Sequence, residues 1–217
     1  MSYSPEQLSE NYDKFIDALK QVFSGERLDK LLHMYSEEEL GTELAMAPAS
    51  GKSHFHSAYV GGYIVHVMNV ARNAIRMKKT YELSGNKVDF TDEELLFAAF
   101  HHDLGKLGDG NRPYYVAETS DWHRKNQNSM FNINGELQYM DVTDRALLLL
   151  QQYEIKFNEK EMLGIKLADG LYNEATKPYF IAYKPEYRLK TSLPYILHWA
   201  DHMSCLQEAQ EWHDSKK

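Results

Sequence analysis

Apolar residues along most of this chain recur at the three-and-four spacing of an amphipathic helix. Leu8, Tyr12, Phe15, Ile16, Leu19, Val22 and Phe23 mark a helix over residues 5–23. Ser4 before Pro5, with Gln7 three positions after the serine, is a helix-start signal. Leu28, Leu31, Leu32 and Tyr35 predict a second helix over 26–35, and residues 45–56 read as a loop. From Ser57 the pattern turns helical through Ile64, Val67, Val70, Ala74 and Met77, until Ser84-Gly85-Asn86 ends it. Thr91-Asp92-Glu93-Glu94 caps another helix that runs to His102 and Asp103. Further helices are predicted over 142–153, 159–168 and 192–213.

Two stretches depart from that period. Residues 108–140 read as irregular, with one short hairpin in which Asn134-Gly135 joins 130–133 to 136–139. Residues 170–190 hold two prolines and five tyrosines or phenylalanines, and are expected to wrap the surface. The sum is an all-α helical bundle with a small β-hairpin insertion, in a single domain of 217 residues.

Composition narrows the setting. An apolar fraction of 43% is that of a globular domain, and no apolar run is long enough for a membrane span. The N-terminus lacks the basic and apolar regions of a signal peptide. A single cysteine, Cys205, excludes an intrachain disulfide and fits a reducing, cytoplasmic compartment. The formal charge of −8 argues against a long nucleic acid as partner. It fits small nucleotides and leaves room for short oligonucleotides or a local basic patch.

Three pieces carry candidate chemistry: His66 after Gly61-Gly62, the run His101-His102-Asp103-Leu104-Gly105-Lys106, and Asp201 in His198-Trp199-Ala200-Asp201. Each falls on or at the end of a predicted helix. Imidazole nitrogens with carboxylate oxygens suit Mn²⁺, Fe²⁺, Co²⁺, Ni²⁺ or Zn²⁺ better than Ca²⁺; Mg²⁺ is compatible but favours fewer nitrogens.

The order His…His-Asp…Asp, with His-Asp-Leu-Gly-Lys in the middle, resembles the HD superfamily of metal-dependent phosphohydrolases. The resemblance covers residues 48 to 208. Pro48-Ala49, His54, His56 and Gly61-Gly62 are similar to the start of the HD domain in bacterial 3′–5′ exoribonucleases, and the compact chain resembles HD hydrolases of tailed phages. It implies one HD domain with N-terminal helices over 1–45, an HD core over 46–208 and the insertion at 108–140. It also implies the cytoplasm of a bacterium or of a phage-infected host.

The resemblance implies His66, His102, Asp103 and Asp201 as metal ligands, and hydrolysis of a phosphate ester of a nucleotide or short oligonucleotide by a metal-activated water. Asp103 is the candidate proton acceptor; Lys106 and one of His54 or His56 steady the phosphate. His101 is read as packing or as a partner of a ligand. Many two-metal relatives carry paired histidines where Ala168-Asp169 precede Gly170, so one ion is expected. Asp169 remains free to orient water or to bind metal. Arg112, Arg124 and Lys125, in the insertion, are candidate substrate-binding residues. Two rival readings are a 3′–5′ exonuclease on single strands and a non-catalytic module binding a nucleotide or partner. The sequence leaves oligomeric state open.

Overall fold

The computed structural model describes residues 3–214. The chain begins with α1 (Pro5–Val22), α2 (Gly25–Met34), α3 (Gly41–Met46), α4 (Gly62–Leu83) and α5 (Asp92–His101). A 3₁₀ turn at Leu104–Leu107 leads to strand β1 (Tyr115–Ala117), α6 (Asp121–Gln127) and β2 (Phe131–Ile133). Then come α7 (Val142–Gln152), α8 (Glu159–Lys166), α9 (Lys177–Phe180) and α10 (Leu193–Asp214). The fold is all-α, with one two-stranded antiparallel sheet. No helix among the described residues is long and apolar enough to cross a membrane.

Local chemistry explains the helix starts. Ser4 Oγ accepts from the Gln7 amide while Gln7 Oε1 accepts from the Ser4 amide, a reciprocal capping box. Thr91 and Glu94 repeat it at α5. The main packing axis is α4 against α10, with α5 against α4 and α8. The N-terminal helices enter the same core: Phe15 stands edge-on to Tyr35 at 5.2 Å and to Phe100 at 5.6 Å. Phe23 meets Phe97 in the same way.

Several expectations need correction. The helix predicted from Ser57 starts five residues later, at Gly62. Ser57 and Gly61 both take left-handed backbone, at φ 41° and 82°. The Ser57 carbonyl also presses so close to Gly62 that a Cβ there would lie 2.0 Å away. The two glycines thus let the loop fold back on the start of α4.

The Asn134-Gly135 hairpin does not form. β2 pairs with β1 instead, in the register Tyr115↔Ile133, Val116↔Asn132 and Ala117↔Phe131. The residues after Gly135 form no strand. A two-residue type I′ turn needs positive φ at both centres, and neither Asn134 nor Gly135 has it. The Asn134 amide donates to the Tyr114 carbonyl, and its side chain binds the Pro113 carbonyl and the Glu136 amide. The insertion is also less irregular than expected, because Ser120 caps α6 by accepting from the His123 amide.

Candidate metal centre

Three helices bring together four side chains from three distant parts of the sequence. His66 comes from the first turns of α4, His102 and Asp103 follow α5, and Asp201 lies on α10. His66 Nε2 is 3.1 Å from Asp201 Oδ1 and 3.5 Å from Asp103 Oδ2. His102 Nε2 is 3.6 Å from Asp103 Oδ2 and 3.7 Å from Asp201 Oδ1. Donor atoms about 2.1 Å from one ion stand roughly 3.0–3.4 Å apart. The observed spacings are therefore close to those of neighbouring ligands on a single ion. His66, His102 and Asp103 form a buried group that could hold a metal ion.

The imidazoles are oriented from behind. His102 Nδ1 donates to the Ala99 carbonyl at 2.8 Å, and His66 Nδ1 donates to Glu208 Oε1 at 3.2 Å. Each outer bond fixes a proton on Nδ1 and turns Nε2 into the cluster. Both Nε2 atoms are buried without a hydrogen-bond partner. The Nε2 atoms of His56, His101 and His198 are also buried without a partner; what sets His66 and His102 apart is that both face the carboxylates of Asp103 and Asp201, a donor set that suits a transition-metal ion.

Charge is coupled across the cluster. Burial works against a charged His66, but Glu208 and Asp201 outweigh it and lift the ring to about 10 in the metal-free chain. Burial would raise Asp201 as well, yet contact with His102 and His66 holds it well below the ordinary carboxylate value. Asp103 is likewise held low, with Lys106 the main opponent of burial. Lys106 Nζ donates to Asp103 Oδ2 at 2.6 Å and to the Ala49 carbonyl at 2.8 Å. The motif lysine thus orients Asp103 and keeps one N–H in reserve. Gly105 lets this turn pack closely, since a Cβ there would sit 2.1 Å from the Val142 carbonyl.

The other candidates divide. His56 packs on His66 with ring centroids 4.7 Å apart, whereas His54 packs against Phe55. Burial, then the charges of His66 and Lys106, push His56 down to about 3, so its ring is neutral near pH 7. His56, His66 and Cys205 form a second donor group that shares His66. Asp169 is exposed, yet its carboxyl is raised by desolvation and then by Asp103 and Asp201, which puts it in electrostatic reach of the cluster. His101 is a packing residue: Nδ1 donates to the Phe97 carbonyl, and the ring stacks on Tyr35.

Two of the three insertion cations are held within the insertion itself. Arg112 is engaged by Asp109 and by the Glu136 carbonyl, closing its own loop. Arg124 binds the Glu118 carbonyl and Asp121, and lines a cavity of about 640 Å³ that also touches Ser57 and Glu208. Lys125 lies exposed on α6. None of the three contacts the His/Asp cluster in the described hydrogen bonds and ion pairs.

Glu208 is the residue sequence reasoning missed. It is buried, and accepts from Ser57 Oγ at 2.6 Å and Asn69 Nδ2 at 2.9 Å besides His66. A signal existed: Asp201, Ser204, Cys205 and Glu208 are polar at helical spacing on one face of α10.

Comparison with family models, with curated proteins and with solved structures finds no match for this chain. Fold and site define its class: an all-α protein with a buried His/Asp cluster that could hold a metal ion.

Proposed function

We propose that the chain is a phosphohydrolase of the HD superfamily, dependent on a divalent transition metal, that cleaves a phosphate ester of a nucleotide or short oligonucleotide. One observation carries the reading: two imidazoles, each fixed from behind, bring Nε2 within 3.1 to 3.7 Å of the same two carboxylates. His66, His102, Asp103 and Asp201 would hold one ion. Bound there, a divalent ion supplies Lewis acidity toward a phosphoryl oxygen and toward water.

The protein's own groups do the rest. Lys106 keeps Asp103 ionised and oriented, so that the carboxylate can accept a hydrogen bond from water and hold it in place. The remaining N–H of Lys106 offers a cationic donor to a phosphate oxygen. His56, neutral and packed on His66, presents an unpartnered Nε2 beside the cluster and acts by hydrogen bonding rather than as an acid. Glu208 holds His66 in the ligating tautomer.

The test is phosphate or nucleotide release from a panel of nucleotides and short oligonucleotides with Mn²⁺, compared with Asp103→Asn. Turnover by the native chain, lost by at least about a hundredfold in the variant, is expected. Tight nucleotide binding without turnover under Mn²⁺, Co²⁺, Ni²⁺ and Zn²⁺ would replace this reading with a binding module.

A further inference from the structure

The chain is acidic overall, but residues 177–190 are not. Lys177, Lys184, Arg188 and Lys190 stand there against a single carboxylate, Glu186, in a protein of formal charge −8. Lys177 pairs with Glu174. Lys184, Arg188 and Lys190 have no carboxylate within ion-pair distance among the described residues, and all three are exposed.

Aromatic rings alternate with these cations. Tyr179, Tyr183 and Tyr187 recur every fourth residue and are 45%, 91% and 66% exposed. With Pro178, Ile181 and Lys184 they line an open surface hollow of about 610 Å³. The Lys184 ammonium lies 5.6 Å from the centre of the Tyr187 ring. Pro178 and Pro185 restrict the backbone, so the rings sit on a segment with less freedom to lose on binding.

The segment is fastened to the helix that carries Asp201. Thr176 Oγ donates to the Gly170 carbonyl at 2.7 Å, the Tyr172 hydroxyl meets His202 Nε2 at 3.1 Å, and Phe180 packs on His198 and Tyr195. His202 is the residue after Asp201.

We infer that residues 177–190 form a binding strap for single-stranded nucleic acid, with Tyr179, Tyr183 and Tyr187 stacking on bases and Lys184, Arg188 and Lys190 meeting phosphates. Exposed rings interleaved with unpaired cations are what single strands use, because every base has a π face and every linkage a charge. A dry contact between two copies of the chain is disfavoured, since the centres of such interfaces are poor in lysine. This goes beyond the proposed hydrolysis and does not depend on it: a strap of this kind binds whether or not the strand is cut.

The test is fluorescence anisotropy of a labelled oligo-dT of about twenty nucleotides with the full chain, read with Mn²⁺ and again with chelator. Binding is expected in both conditions and weakens as salt rises. Tyr183→Ala with Tyr187→Ala should weaken it by about tenfold or more. Lys184→Glu with Arg188→Glu should weaken it comparably and flatten the salt dependence. Both double variants should keep the native melting temperature and metal content, because these side chains are exposed and outside the cluster. Failure of the native chain to bind, or equal binding by both variants, would overturn the inference. So would capture of anionic vesicles in place of the strand, or a dimer in solution that the tyrosine variant abolishes. Absence of turnover would remove the proposed reaction while leaving this result standing.

Discussion

Two buried polar groups in this protein are built in opposite ways. Where α2 meets α8, Arg27 grips Glu161 with two bonds of 2.7 and 3.1 Å, donates to the Lys156 carbonyl, and lies 4.6 Å from the centre of the Phe97 ring. Glu161 accepts in turn from the Asn158 amide. Charge and hydrogen bonds close within the chain. Where α4, α5 and α10 meet, His66, His102 and Asp103 are buried and Asp201 is half-buried, but His66 Nε2 and His102 Nε2 have no hydrogen-bond partner. The first group is complete as protein, which is what a structural ion pair requires. The second is a donor group that could hold a metal ion. The contrast separates fold from chemistry without reference to any relative.

The comparison can be broken at its closed end first. Arg27→Ala leaves a buried Glu161 unpaired and should cost about 3 kcal/mol. Melting should then fall by roughly 6–12 °C, with Mn²⁺ binding intact. Replacing Arg27 by Met together with Glu161→Leu should recover much of that loss, because the pair's desolvation penalty goes with it.

The open end should respond to metal instead. At a hundredfold excess over Kd, Mn²⁺ should add about 2.7 kcal/mol, seen as a rise of roughly 5–10 °C that chelator reverses. The same shift should appear in Arg27→Ala. Glu208→Gln, which keeps shape but weakens the grip on His66, should lower metal affinity by about 10–100-fold, and should lower metal-free melting as well, because the buried carboxylate that supports a charged His66 is lost. A Glu208 variant with native affinity would show that His66 needs no support from behind.

The smallest effect, per unit, is on pH. His66 in the metal-free chain holds its proton up to about 10, and an ion on Nε2 must displace it. Proton and metal therefore compete, and affinity should rise with pH by about tenfold per unit below that value. Calorimetric titrations between pH 6 and 8 would check the slope; a flat profile would mean that His66 is not a ligand.

The parts that were legible in the sequence are those governed by local or periodic rules. The helical spacing of Phe15 and Leu19, the box at Ser4 and Gln7, and that at Thr91 and Glu94 all reappear in the structure. His66, His102, Asp103 and Asp201 converge because each sits on, or just after, a helix whose apolar face sets its rotation. What was hidden depends on contacts that no short window contains. The partner of β2 lies across α6, so the local Asn-Gly signal pointed the wrong way. Glu208 reads as a surface glutamate until α10 is packed on α4, where Ser57, Asn69 and His66 enclose it. The start of α4 depends on Ser57 pressing against Gly62, a close approach that hydrophobic periodicity does not register.

The most direct test of the central claim is metal stoichiometry, by elemental analysis and calorimetry, on the native chain and on His102→Ala. One transition-metal ion per chain in the native protein, lost in a variant that keeps its helical circular dichroism, is the predicted result. A native chain that binds no divalent ion, or a variant that retains full occupancy, would contradict the metal centre.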